Sequence, residues 1–202
     1  MADVRQSHVE HAEALRSLVD LSIKRIEAHE SVIASTLIDA LRALPEELGL
    51  HSLSGILHAT QLPDLSSETD PFLMQLGLSY PQLSWRAPGF GRLPAELTER
   101  MAVNELVGPT GQIAHETVRF GFLFQAAHIS YPDHNHAAEE LYLILKGAAD
   151  WNVGGLPLGV QHAGQFVHHQ PWQSHAMKTN NRPMLAMWGW VGDIGMKHYQ
   201  LA

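Results

Sequence analysis

One stretch of the 202-residue chain constrains its fold more than any other: Tyr131-Pro-Asp-His-Asn-His-Ala-Ala-Glu-Glu-Leu-Tyr-Leu-Ile-Leu-Lys-Gly147. It sets His134, His136 and Glu140 within seven residues, adds Tyr142 two places after the acid, and reaches Gly147 after six further residues. On an extended backbone, a period of two sends His134 and His136 to one side. Glu140, Tyr142 and Ile144 then share one face while Leu141, Leu143 and Leu145 take the other. One face binds and the other packs, as a hairpin strand of a β-protein requires. Imidazole nitrogens and a carboxylate oxygen suit one divalent transition metal, with Zn, Fe(II), Mn and Ni all open. A fourth ligand has to come from elsewhere, and His175 in Gln170-Pro-Trp-Gln-Ser-His-Ala is the best placed, because a proline turn feeding a strand presents its histidine rigidly.

The rest of the composition narrows what such a site could serve. No cysteine is present, so thiolate ligands, disulfides and a cysteine nucleophile are excluded and any metal is held by N and O. Thirteen Lys+Arg against 21 Asp+Glu give a net charge of -8 with no basic run, which argues against a nucleic-acid partner. The start, Met1-Ala-Asp-Val-Arg-Gln-Ser-His, lacks the apolar core of a signal peptide, and no apolar run is long enough to span a bilayer. The expectation is a cytoplasmic protein without membrane contact, monomeric or homodimeric. With 45% apolar and 17% charged residues it should form one integrated globular domain.

In chain order, apolar residues from Val9 to Ile26 follow helical spacing within Ser7–His29, and a second helix is expected over Ser31–Leu44, with Val32, Leu37, Ile38 and Leu41 inward and Pro45 ending it. Between Pro45 and Pro94 the prolines and glycines leave room only for short helices near Glu46–Leu50 and Pro71–Leu78, with another possible over Ala95–Met101. From Ala102 the periodicity changes. Strands are expected at Ala102–Val107, Thr117–Phe124, Glu139–Lys146, Ala148–Val153, Gln165–His168, His175–Thr179 and Pro183–Val191, each bounded by Gly, Pro or Asn. The domain reading is therefore a helical extension over 1–100 packed on a β-barrel over 101–202. His162, His168 and His169 read as strand or loop histidines rather than ligands.

These motifs resemble the cupin superfamily, whose first motif is Gly, five residues, HxH, three or four residues, Glu, six residues and Gly. The match runs from His134 to Gly147, with His128 where the first glycine belongs; the second motif keeps Pro171 and His175, with Gln173 in place of glycine. Membership implies a mainly β, double-stranded β-helix barrel with the metal inside, and no single reaction. Tyr131 and Tyr142 flanking the ligands, the helical extension and Gly147-x-Ala-x-Trp151 make the chain similar to the cupin-type dimethylsulfoniopropionate lyases, Q type. That resemblance implies a metal held by His136, Glu140, His175 and Tyr142 with His134 close by. It implies Tyr142 as base, with Tyr131 as a supporting or alternative one, and conversion of dimethylsulfoniopropionate to dimethyl sulfide and acrylate.

The chemistry fits the residues. A substrate with a carboxylate at one end and a sulfonium at the other can lose a proton beside the carboxylate while neutral dimethyl sulfide leaves the next carbon. A cation near a tyrosine favours its phenolate, which Tyr142 on the Glu140 face could exploit. The sulfonium calls for an indole face, for which Trp190 and Trp188 are favoured over Trp151 and Trp172, both of the first pair pointing inward only if a bulge intervenes. The rival readings are an Fe(II) cupin dioxygenase and a non-catalytic cupin module binding a small carboxylate or sugar.

Overall fold

The computed structural model describes residues 2–51 and 62–201. Part of the proline- and glycine-punctuated region between Pro45 and Pro94, residues 52–61, lies outside the described residues. Helices α1 (Ala2–Ile26), α2 (Val32–Arg42) and α3 (Pro71–Ser79) come first; then strand β1 (Trp85–Arg86) and a single turn, α4 (Ala95–Thr98). Strands β2 (Met101–Gly108), β3 (Ile113–Ala114), β4 (Arg119–Gln125), β5 (Ser130–Asn135), β6 (Ala138–Val153), β7 (Leu156–His162), β8 (Phe166–His169), β9 (His175–Lys178), β10 (Met184–Gly192) and β11 (Gln200–Leu201) follow.

The helices form where local chemistry permits. The Ser31 hydroxyl accepts from the Ala34 N–H and starts α2, which buries Ile33, Ala34, Leu37, Ile38 and Leu41. Each large aliphatic side chain so buried stabilises by roughly 1.5–3 kcal/mol. Val32 was expected inward and is instead 81% exposed; the stripe begins one residue later, at Ile33, because the inward face follows Leu37 and Leu41 back by one turn. Asp70 caps α3 by accepting from the N–H groups of Phe72 and Leu73, with Pro71 at the first helical position. An ion pair between Arg25 and Asp70 ties that cap to the end of α1. No helix forms near Glu46–Leu50, where one was expected. Leu50 bridges to Ile113 and the His51 N–H donates to the Gln112 carbonyl, so this segment extends the β-structure instead.

The strands run in the order β1-β2-β4-β10-β6-β9-β5-β11, with β3 on β2 and β7 and β8 on β6. The sheet, antiparallel except for the β2–β3 pair, curls into a half-barrel, and α2 lies against β10 and β6. Strand β6 joins the two halves. Its first part pairs with β10 and β8, its second with β7 and β9. The sequence suggested two strands, Glu139–Lys146 and Ala148–Val153; they are one, because Gly147 turns the corner without breaking the ladder.

At Gly147 the pairing with β10 ends, opposite Met184, and the pairing with β7 begins at Ala148. Its φ is +79°, and a Cβ there would stand 1.8 Å from the Pro183 carbonyl oxygen. Only glycine fits, for backbone conformation and for space. Strand β7 escaped sequence reading because Pro157 and Gly159 interrupt it and Leu156, Leu158 and Val160 are exposed, so it lacks a buried alternating face. Gly147→Ala is expected to destabilise the fold by more than about 3 kcal/mol in urea titrations; a loss below 1 kcal/mol, on the order of an ordinary surface change, would show that the corner can yield.

Candidate metal centre and cavity

The strand ladder sets the site. On β6, Glu140 stands opposite Trp190 of β10 and His169 of β8, and Tyr142 opposite Trp188 and Val167. His134 of β5 stands opposite His175 of β9. The five strands thus deliver their inward side chains to one buried point. Donor atoms of His136, Glu140 and His175 lie within 4.8 Å of one another, and all three residues are buried.

The hydrogen bonds around these rings decide what the cluster can hold. His136 Nδ1 lies 3.0 Å from the Ala138 carbonyl and His175 Nδ1 2.9 Å from the Gln173 carbonyl. A carbonyl only accepts, so each Nδ1 carries the proton and donates, leaving each Nε2 with a lone pair. Both Nε2 atoms face Glu140 Oε2 at 3.1 Å. Burial alone would push the Glu140 carboxyl up; the two imidazoles facing it outweigh that and hold it well below the usual carboxylate range. Two lone pairs against an ionised oxygen need positive charge between them. It could come from extra protons on both rings or from one divalent cation. Two buried imidazolium ions are costly to desolvate, whereas a single cation satisfies all three donors at once. The donor set therefore fits a transition metal of the N/O-preferring kind.

Around the donors stands a second layer of contacts. The Trp190 indole N–H donates to Glu140 Oε1 at 2.6 Å, and its ring lies 4.1 Å from that of His136. Tyr142 is buried with its hydroxyl beside the Glu140 carboxylate, and burial, then that charge, push its phenol well above the ordinary value. His134 stands outside the three-residue cluster. Its Nδ1 pairs with the Pro132 carbonyl at 2.9 Å, its ring stacks on Tyr131 at 4.4 Å, and its centroid lies 4.1 Å from that of His175. Burial, reinforced by His175, pushes it down to about 3, so it is neutral.

A cavity opens over this layer, walled by Tyr131, His134, Glu140, Tyr142, Trp188, Trp190 and Tyr199 and roofed by the Pro88–Phe90 segment. Trp188 and Trp190 both face it. Residues two apart on a strand share a face, so no bulge is needed between them, contrary to expectation; the register shift in β10 falls earlier, at Leu185/Ala186. Trp151 is buried beside Tyr142 and His169, and Trp172 lies outside, half exposed.

Two residues of the neighbourhood went unselected in the sequence. His169 is wholly buried, its ring parallel to that of His175 at 4.0 Å, and neither nitrogen has a hydrogen-bond partner among the described residues. Burial, then His175, push it down to about 2. Only its pairing opposite Glu140 could have revealed it, and strand register is not written in spacing. Tyr199 lies far beyond both motifs, and no sequence signal marks it.

A half-barrel sheet with an inward His/Glu/His donor set defines a candidate metal-dependent site. The chain belongs to the dimethylsulfoniopropionate lyase family, whose model matches residues 73–186. It is 35% identical over 111 residues to the dimethylsulfoniopropionate lyase DddQ of Ruegeria pomeroyi, covering 54% of this chain and 55% of that protein. The chain spans about half the length of the curated relatives it matches. The crystal structure of DMSP lyase DddQ from Ruegeria pomeroyi superposes with a TM-score of 0.70 at 26% identity, over 90% of this chain and 93% of that one. A crystal structure described as DMSP lyases RdDddP and RnDddQII has the same fold, with a TM-score of 0.73 at 21% identity, covering 95% and 99%.

Three substitutions test the centre. In purified protein loaded with Zn(II), His175→Ala should lose stoichiometric metal while His134→Ala keeps it, measured by elemental analysis after gel filtration. Trp190→Phe keeps the ring over His136 but removes the donor to Glu140, and should weaken metal affinity by about tenfold or more. Unchanged affinity would mean the indole N–H does not orient the carboxylate.

Proposed function

We propose that this protein cleaves dimethylsulfoniopropionate to dimethyl sulfide and acrylate by β-elimination. The observation that carries the reading is a cavity lined by Glu140 of the donor cluster, by the two indoles Trp188 and Trp190 and by three tyrosines, in a member of the dimethylsulfoniopropionate lyase family. A zwitterion whose ends differ in charge and softness matches that division. The indole faces of Trp188 and Trp190 attract the sulfonium without hydrating it.

A divalent metal held by His136, Glu140 and His175 would supply Lewis acidity toward the substrate carboxylate. The chain's own residues do the rest. A base removes the proton from the carbon beside the carboxylate, the C–H pair becomes the new double bond, and the C–S pair leaves on sulfur as neutral dimethyl sulfide. Of the two tyrosines, we assign the base to Tyr131. The Tyr142 hydroxyl is engaged beside Glu140, where added negative charge is costly. It is suited to complete the donor set with His136, Glu140 and His175. Both tyrosines line the cavity, and burial pushes both phenols well above the ordinary value; the difference is that the Tyr131 hydroxyl has another phenol, Tyr199, as its hydrogen-bond partner. The two indoles and the Pro88–Phe90 roof keep water from the reacting carbons.

Headspace detection of dimethyl sulfide, after mixing the protein loaded separately with Zn(II), Fe(II), Mn(II) or Ni(II) with dimethylsulfoniopropionate, tests the activity. Gas above the blank is expected for at least one metal; none with any of them would reject it. Tyr131→Phe should lower kcat by about 100-fold or more with metal content retained. Full activity in that variant, with loss in Tyr142→Phe at unchanged metal content, would move the base to Tyr142.

A further inference from the structure

We propose that Tyr199 is a positioning residue for this elimination, holding the Tyr131 hydroxyl over the cavity and donating a hydrogen bond to its oxygen while Tyr131 takes the substrate proton. The inference rests on the lyase reading and on Tyr131 as base. Its basis is a contact between parts of the chain far apart in sequence. Tyr131 Oη and Tyr199 Oη are 2.9 Å apart and buried, and Tyr199 is the partner of the Tyr131 hydroxyl among the described residues. Tyr199 also lines the cavity.

Its place is built rather than incidental. The residues after it form β11, where Gln200 and Leu201 pair with Asn135 and His134, so the tyrosine is stitched to the strand that carries Tyr131. Its own N–H donates to the Met196 carbonyl. Phe90 meets its ring edge-on at 5.5 Å, the His134 ring lies 5.3 Å away, and the Arg92 guanidinium sits 5.6 Å over its face. A ring fixed from three sides has little freedom to turn its hydroxyl elsewhere.

The direction of the hydrogen bond follows from the chemistry. Between two neutral phenols either oxygen can donate. Before Tyr131 accepts the proton its oxygen is an anion and only accepts, so the O–H of Tyr199 must donate. Hydrogen bonds to an ionised oxygen are stronger than those between neutral groups, and at a site this dry no water substitutes for a lost donor at little cost. When the proton arrives from the substrate carbon, Tyr131 becomes a phenol and the special strength of the bond disappears. By fixing the orientation of that oxygen and donating to it once it is ionised, Tyr199 aims and steadies the base.

Tyr199→Phe removes one oxygen and leaves the ring contacts. With dimethylsulfoniopropionate as substrate, kcat should fall about 10- to 100-fold, the loss of one hydrogen bond to a charged group. KM should stay within about twofold if the hydroxyl does not contribute to ground-state binding. Metal content and thermal midpoint should match the parent. A structural role alone would not move kcat selectively. In a Tyr131→Phe background, Tyr199→Phe should cause no further loss, because the oxygen it serves is gone. Parental kcat in the single variant, or an equal fold-loss with and without Tyr131, would overturn the proposal while leaving the lyase reading intact. Absence of dimethyl sulfide from the parent would overturn both.

Discussion

Everything inside this barrel depends on keeping one carboxylate ionised where water is excluded. Glu140 is buried, and a lone buried carboxylate would take up a proton. Its charge needs compensation: an indole N–H donates to one oxygen, and the other faces two imidazole nitrogens at a spacing that positive charge must fill. These partners come from β9, from the β5–β6 turn and from β10, while Glu140 itself is on β6. The curl of the sheet is what brings them together. An error of one residue in any register would turn a donor to the outer face, so the corner at Gly147, which fixes where β6 changes partners, matters to the chemistry although it touches none of it.

The helical and looping N-terminal region takes part in the same arrangement. The Pro88–Phe90 roof follows β1, whose Arg86 reaches Glu105 on β2 at 2.5 Å. Glu105 is buried and also holds Arg119 at 2.7 Å, with Thr110 joining both. Two guanidiniums on one carboxylate anchor the loop from beneath. Both also lie within 6.0 Å of the Phe90 ring, and Phe90 meets Trp190 and Tyr199 on its cavity side. Phe90 adopts a φ of +51°, flanked by Gly89 and Gly91, also at positive φ. A bulky residue held in that region signals a conformation imposed by its surroundings, here by the aromatic packing that closes the cavity.

What could be read from residues alone follows a physical rule. The grouping of His136, Glu140 and His175 was legible because donors on a hairpin lie close in sequence and a rigid turn presents the distant one; His134, read with them as a ligand, stands outside that group. The strand positions were legible where an apolar run is buried on both faces, as in β4 and β10. Val32 misled because an apolar residue at a helix start can lie on either side of the stripe. Strand register lay beyond spacing, and with it His169 opposite Glu140 and the common face of Trp188 and Trp190. Tyr199 was the least visible: its importance lies in a hydroxyl contact 68 residues from its partner, and a lone tyrosine near a chain end has no pattern.

The departures from the cupin motifs have a structural counterpart. The first motif begins with glycine, and His128 stands in that position with φ at +59°, the left-handed conformation glycine adopts freely. Histidine is among the side chains that tolerate it best. The second motif's glycine is replaced by Gln173, and the left-handed residue there is its neighbour Trp172, with φ at +64°. The Trp172 N–H donates to the His136 carbonyl at 2.7 Å. A turn that costs backbone strain on one motif is thus tied to the backbone of a candidate metal donor, His136, in the other. The motif glycines were never required for their own sake; the chain needs left-handed turns at these two places, and here the tertiary contacts, rather than the residue type, enforce them.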